Sequence, residues 1–194
     1  MRIQIKLLII GICAILSACD KLPGNDVEKM QFDLVNINDQ YQVALPSFMS
    51  EASNLSEDAS LQYQSLFKEL YTVVVDESLS EFKDGYQEID YYDDALSVLD
   101  NYVKIQYESI IEELDITSDV VQKSVKINGL PARIIEFDAK VEDIDVPITY
   151  YYTFYEGDDD LYLMLSWTLK SRRTKYQPVL EKIAKSFRLI QDKD

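Results

Sequence analysis

Hydrophobic positions along this chain follow two periods, and the places where the period changes mark out its elements. Tyr41, Val43 and Leu45 alternate with Gln42 and Ala44, and Pro46 closes the run, so "YQVALP" reads as a strand. Two further apolar runs follow, Leu61 to Leu66 and Leu70 to Val75. The β-branched stretch Thr72 to Val75 suits a strand buried on both faces. Between Tyr91 and Leu114 the period lengthens. Tyr92, Leu96, Leu99, Val103, Tyr107, Ile110 and Leu114 recur at spacings of three and four, which predicts a helix with one apolar stripe, capped by Asp90.

Four strand-like runs come next. Asn128-Gly129 is the preferred pair for a two-residue hairpin turn and joins Val120–Ile127 to Ala132–Val141. Asp143 to Asp145 forms a second connection and Glu156 to Asp160 a third. "TKYQPVLEKIAKSF" then reads as a closing helix with Thr174 as cap, Gln177 completing a capping box, Pro178 in the first turn, and Tyr176, Leu180, Ile183 and Phe187 as the buried stripe. Consecutive hairpins flanked by helices define an α+β fold: an antiparallel meander of hairpins packed with α-helices.

One apolar run has no periodicity. Leu7 to Leu16 follows Arg2 and Lys6 and precedes the small residues Ser17 and Ala18, the order of a secretory signal. It is too short to span a bilayer, which needs about 20 residues. The segment resembles a bacterial lipoprotein signal peptide, with Leu16-Ser17-Ala18-Cys19 matching the lipobox. The resemblance implies that Cys19 is acylated and becomes the first mature residue. Two or more acyl chains hold a protein on a membrane stably, so the expected partner of Cys19 is the lipid bilayer. The expected organisation is then residues 1–18 as signal peptide, 19–38 as lipidated Cys and tether, with Pro23-Gly24-Asn25 a turn within it, and 39–194 as one domain. Asp20 after the Cys resembles the inner-membrane retention signal of enterobacteria, a rule that does not extend to all phyla, so the choice of membrane stays open.

Charge and composition narrow the function. The formal charge is −16, and loss of Arg2 and Lys6 with the signal makes it −18. A polyanion of this size does not suit nucleic acid, whose phosphates call for Lys and Arg. The chain has no histidine, and of its two cysteines Cys13 leaves with the signal while Cys19 is modified. Hydrolase triads and ordinary zinc or iron sites therefore have no residues to build them, and no cofactor or metal is expected.

Five blocks together resemble a known family: "YQVALPSFM", "LQYQSLFKELYTVVVDES", "INGLPARIIEF", "PITYYYTFYEG" and "LYLMLSWT", followed by a last amphipathic helix. They are similar to the PsbP/Mog1-like, DUF1795 group, particularly its single-domain lipoproteins from Bacteroidetes-type bacteria. The resemblance covers Tyr41 to Leu189 and carries no catalytic signature. It implies an antiparallel sheet covered by helices and an accessory or binding role, without naming a partner, because a shared fold does not transfer function.

Four candidate sites stand beside plainer alternatives. Tyr151 and Tyr155, with Tyr162 and Met164 on the partner strand, would form an aromatic platform for a partner protein if helices cover only one sheet face; the alternative is a hairpin buried on both sides. The acidic turn Glu156 to Asp160 offers oxygen ligands for calcium, or is simply a solvated tip. Lys170, Arg172, Arg173 and Lys175, continued by Lys182, Lys185 and Arg188, make the one basic cluster. It would face headgroups or an acidic partner, or balance the acids around Asp84 to Asp100. A carboxylate pair for glycoside hydrolysis has no spacing to recommend it. The expectation is a non-catalytic binding or accessory module on a bacterial envelope membrane, on its periplasmic or surface side, with an envelope protein as partner. The alternative is a carrier or chaperone for an apolar ligand or membrane-active peptide, held in a groove between sheet and helix. Oligomeric state has no sequence signal.

Overall fold

The computed structural model describes residues 27–141 and 146–190. The signal, Cys19 and the connection at Asp143–Asp145 lie outside them.

Hairpins build a large antiparallel sheet. Strands β1 (Phe32–Ile37) and β2 (Tyr41–Pro46) pair with each other, and β3 (Ser50–Glu51), β4 (Leu61–Ser65) and β5 (Leu70–Ser78) follow. After helices α1 (Leu79–Glu88) and α2 (Val98–Glu113) come β6 (Asp115–Ile116), β7 (Val121–Ile127), β8 (Leu130–Lys140), β9 (Ile148–Glu156) and β10 (Asp160–Leu169). A 3₁₀ turn, Lys170–Arg172, leads into α3 (Arg173–Ser186), and β11 (Arg188–Leu189) ends the described chain. The main sheet runs β3-β4-β5-β10-β9-β8, with β6 and β7 sharing the outer edge of β8; β1-β2-β11 is a separate small sheet. The expected α+β architecture is present.

Both faces of the main sheet are covered. On one lie α3 and the small sheet, packed around Tyr41, Val43, Tyr155, Ile183 and Phe187; on the other lie α1 and α2, packed around Phe82, Tyr102, Phe137 and Phe154. Strands β9 and β10 sit at the centre, so nearly every residue of each is buried. That explains why "ITYYYTFY" and "LYLMLSWT" run almost without polar interruption: a strand covered on both faces loses the usual alternation.

Four local expectations are corrected. The stretch taken as tether up to residue 38 contains β1, whose Phe32, Val35 and Ile37 pack onto the core. Its turn into β2 uses Asn38 and Asp39 at φ 50° and 57°, a left-handed conformation that these two residue types tolerate. Helix α1 was not expected, because Gly85 and four charged residues dilute a stripe reduced to Phe82 and Tyr86; Ser78 caps it by accepting from the Glu81 N–H. Helix α2 starts at Val98 rather than near Asp90, which takes φ 56° in the preceding loop. The cap is Ser97, accepting from Asp100 N–H at 3.0 Å, and the buried stripe is Leu99, Tyr102, Ile105 and Ile110, leaving Val103 and Tyr107 at its margin. In α3 neither Thr174 nor Gln177 caps: the 3₁₀ turn enters the helix directly, and Pro178 falls in the second turn. The expected stripe of α3 is nevertheless buried, Tyr176, Leu180 and Ile183 within it and Phe187 at its end.

Candidate functional site

The aromatic platform is the interior of the domain. Tyr151, Tyr155, Tyr162 and Met164 are 2 %, 0 %, 3 % and 0 % exposed, so they present no surface to a partner. Helix α3 lies on them. The Tyr155 hydroxyl donates to the Ala184 carbonyl at 2.8 Å, and the Tyr155 ring stacks on Phe187 with centroids 4.2 Å apart. Phe187 also meets Tyr41 and Tyr162, each at 5.1 Å, which ties the small sheet, the main sheet and the end of α3 into one cluster. Burial pushes the Tyr151, Tyr155 and Tyr162 hydroxyls upward from their ordinary pKa. The platform expectation assumed one uncovered sheet face; there is none.

Asn128 supports the same cluster from the β7–β8 turn. It holds φ 49°, with Gly129 at φ 91°, and its Nδ2 donates to the carbonyls of Lys185 at 3.1 Å and Phe187 at 2.7 Å. The hairpin turn read from the sequence thus also satisfies carbonyls at the end of α3.

The basic cluster is spread along α3, and its strongest members are spent on acids that were not anticipated. Glu136 and Asp138 lie on β8 on the α3 side, each 2 % exposed. Arg173, the first residue of α3, donates through Nη2 to Glu136 Oε1 and through Nη1 to both carboxylate oxygens of Asp138 at 3.2 Å. Lys170 lies 3.2 Å from Asp138 Oδ2, Gln177 donates to Glu136 at 3.1 Å, and Thr149 donates to Asp138 at 2.6 Å. Two buried carboxylates matched by two cations and two neutral donors form a closed network, which is how charge survives inside a protein. The acids expected as counterparts, around Asp84 to Asp100, play another part: Asp100 receives Arg133 of β8 at 2.9 Å. The remaining cluster members scatter. Arg172 donates to the Phe67 carbonyl, Lys175 lies over Tyr176, Lys185 pairs with Glu181, and Arg188 donates to Gln42.

The acidic turn is a hairpin tip with a structural use. Gly157 N–H donates to the Asp160 carbonyl at 2.9 Å, and Glu156 accepts from the Leu99 N–H in the first turn of α2, where the helix dipole favours an anion. Among the described residues, no three acids, cysteines or histidines are grouped to hold a metal ion.

Besides Glu136 and Asp138, sequence reasoning missed a third acid. Glu77, near the end of β5, has its carboxyl pushed up to about 7 by burial, with the neighbouring Tyr102 hydroxyl opposing the rise. Among the described residues, Glu77 Oε1 and the Tyr102 hydroxyl have each other as their nearest polar company and no well-formed hydrogen bond. The only signal was an acid inside a strand pattern, and acids in this chain are too common for that to stand out.

A doubly covered antiparallel sheet of this topology is a PsbP-like α+β fold. The solution structure of cyanobacterial PsbP (CyanoP) from Synechocystis sp. PCC 6803 matches with a TM-score of 0.55 at 12 % identity, over 90 % of this chain and 98 % of that one. LpqN of Mycobacterium tuberculosis, described as involved in cell envelope biogenesis, matches with a TM-score of 0.52 at 9 % identity, over 84 % of this chain and 92 % of that one. At these identities the likeness is one of fold. No protein-family model and no curated protein sequence matches the chain.

Proposed function

We propose that this chain is a lipoprotein of the bacterial cell envelope, held in a membrane through acylated Cys19, whose PsbP-like domain is a non-catalytic binding or accessory module of the DUF1795 type. The observation that carries the reading is the juxtaposition of Leu16-Ser17-Ala18-Cys19 behind a charged and apolar leader with a domain that lacks histidine throughout. An envelope-related protein, LpqN, shares the fold, which supports the same setting. The polar centre favours a structural role over catalysis. Glu136 and Asp138 are fully engaged by Arg173, Lys170, Gln177 and Thr149, so neither is available as acid, base or nucleophile.

The carrier alternative loses its proposed lining, because the Tyr and Met side chains that would form a groove pack against α3. The accessory reading is therefore preferred, with the partner surface on the outside of the domain.

Metabolic labelling with an alkynyl fatty acid tests it, followed by membrane fractionation and crosslinking in intact cells. Wild-type chain should carry the label, sediment with membranes and crosslink to an envelope protein; Cys19→Ala should lose all three. An unlabelled wild type would remove the anchor from the reading. Turnover of a substrate that one carboxylate substitution abolishes would remove the non-catalytic part.

A further inference from the structure

The two most exposed large apolar side chains described are adjacent in sequence. Leu66 and Phe67, 66 % and 71 % exposed, form the tip of the turn between β4 and β5. An exposed apolar pair at a loop tip adds little to the core and is free to contact something apolar. Two cations flank it: Lys68 Nζ lies 4.9 Å from the Phe48 ring and 6.0 Å from the Phe67 ring, and Arg172 donates to the Phe67 carbonyl at 3.0 Å; Glu69, the one acid of the turn, accepts from the Tyr71 hydroxyl at 2.8 Å. In a chain of formal charge −16, two cations to one acid around an apolar tip runs against the overall balance.

The same end of the domain receives the chain from the amino-terminal side. Phe48, beneath Lys68, follows Ser47, whose N–H donates to the Gln31 carbonyl just before β1. Lys182, further along α3, holds the start of the described chain, 4.0 Å from the Phe32 ring and 3.5 Å from the Val27 carbonyl. Even fully extended, the chain from Cys19 to Val27 reaches no more than about 29 Å. With Cys19 at a bilayer, Val27 therefore stays within about 29 Å of it.

We infer that the Leu66–Phe67 tip is a second membrane contact: the two side chains enter the interfacial layer of a phospholipid bilayer while Lys68 and Arg172 meet lipid phosphates. The chemistry fits one occupant. Apolar side chains flanked by cations match the acyl and phosphate layers of a phospholipid. The net negative charge of the domain opposes free adsorption to an anionic surface, so the contact works only with the anchor already in place. The inference rests on the anchoring at Cys19 proposed above. Its consequence is orientation: the domain is held at a set angle to the membrane, which decides which outer surface a partner meets.

Brominated-lipid quenching tests this on the full-length acylated chain carrying Phe67→Trp, reconstituted into vesicles of phosphatidylethanolamine and phosphatidylglycerol. The wild-type chain, whose single Trp167 is buried and stacked on Tyr71, supplies the baseline. Emission from the indole at position 67 should fall about twofold when the acyl chains are brominated, as expected for a ring seated among them. Replacing Lys68 and Arg172 with Glu in that background should abolish the quenching. Protein that floats with the vesicles but shows no quenching overturns the tip contact and leaves the anchor standing. Protein that does not float overturns both.

Discussion

The Tyr155 ring stacks on Phe187 at 4.2 Å, and its hydroxyl reaches past that ring to the Ala184 carbonyl. This pair joins the centre of the sheet to the last turn of α3, and it turns a candidate recognition residue into a structural one. Tyr155→Ala should cost about 3 to 5 kcal/mol, as large aromatic truncations in packed cores do, whereas Tyr155→Phe should cost about 1 kcal/mol for the lost hydrogen bond. Equilibrium urea denaturation of both variants checks the pair. A Tyr155→Ala protein as stable as wild type would return the residue to a surface role.

Arg173 holds two buried carboxylates, so its removal leaves uncompensated charge. Arg173→Met should destabilise by about 2 to 4 kcal/mol, somewhat below the figure for a fully buried pair because the guanidinium is 31 % exposed. Adding Glu136→Gln and Asp138→Asn to Arg173→Met should recover part of the loss. Recovery separates buried charge from simple loss of packing, which the added amides would not repair.

Glu77 gives stability a pH dependence whose sign follows from its upward shift. Its carboxyl rises from an ordinary 4.5 to about 7 in the fold, so the folded state holds the proton more tightly than the unfolded chain. From this group alone, stability is greatest below about pH 4.5, falls as pH rises to about 7, and carries a constant penalty above that. Glu77→Gln removes the ionisation. It should gain up to about 3 kcal/mol over wild type at pH 8, at about 1.4 kcal/mol per pKa unit, and nothing at pH 4. Thermal melts of both proteins across that range measure the difference; equal curves at every pH would show that Glu77 ionises freely.

Asn128 combines a backbone and a side-chain task that two substitutions separate. Asn128→Gly keeps the left-handed turn and loses only the two bonds to α3, while Asn128→Ala loses both. The expected costs are about 1 kcal/mol for Gly and about 2 kcal/mol for Ala, read from denaturation midpoints. Equal losses would assign the whole effect to the hydrogen bonds.

What the sequence determined by itself was local. Alternation placed β2, Asn128-Gly129 placed the β7–β8 turn, and the three-and-four spacing of Tyr176, Leu180 and Ile183 placed the buried side of α3, because each signal lies within one element or one turn. The leader and lipobox are equally local. So is the absence of histidine, which bears on chemistry before any fold is known.

Only the tertiary structure decided which apolar residues face protein and which face solvent. Tyr151 and Leu66 look alike as strand residues; one lies beneath α3 and the other is two-thirds exposed, because the coverage of a sheet face is set by elements far along the chain. Likewise the partners of Arg173 are 35 and 37 residues away, on a strand whose acids read as ordinary surface charge until α3 is laid across them. Long-range contact chose the ion pairs and the core aromatics, and left Leu66 and Phe67 outside.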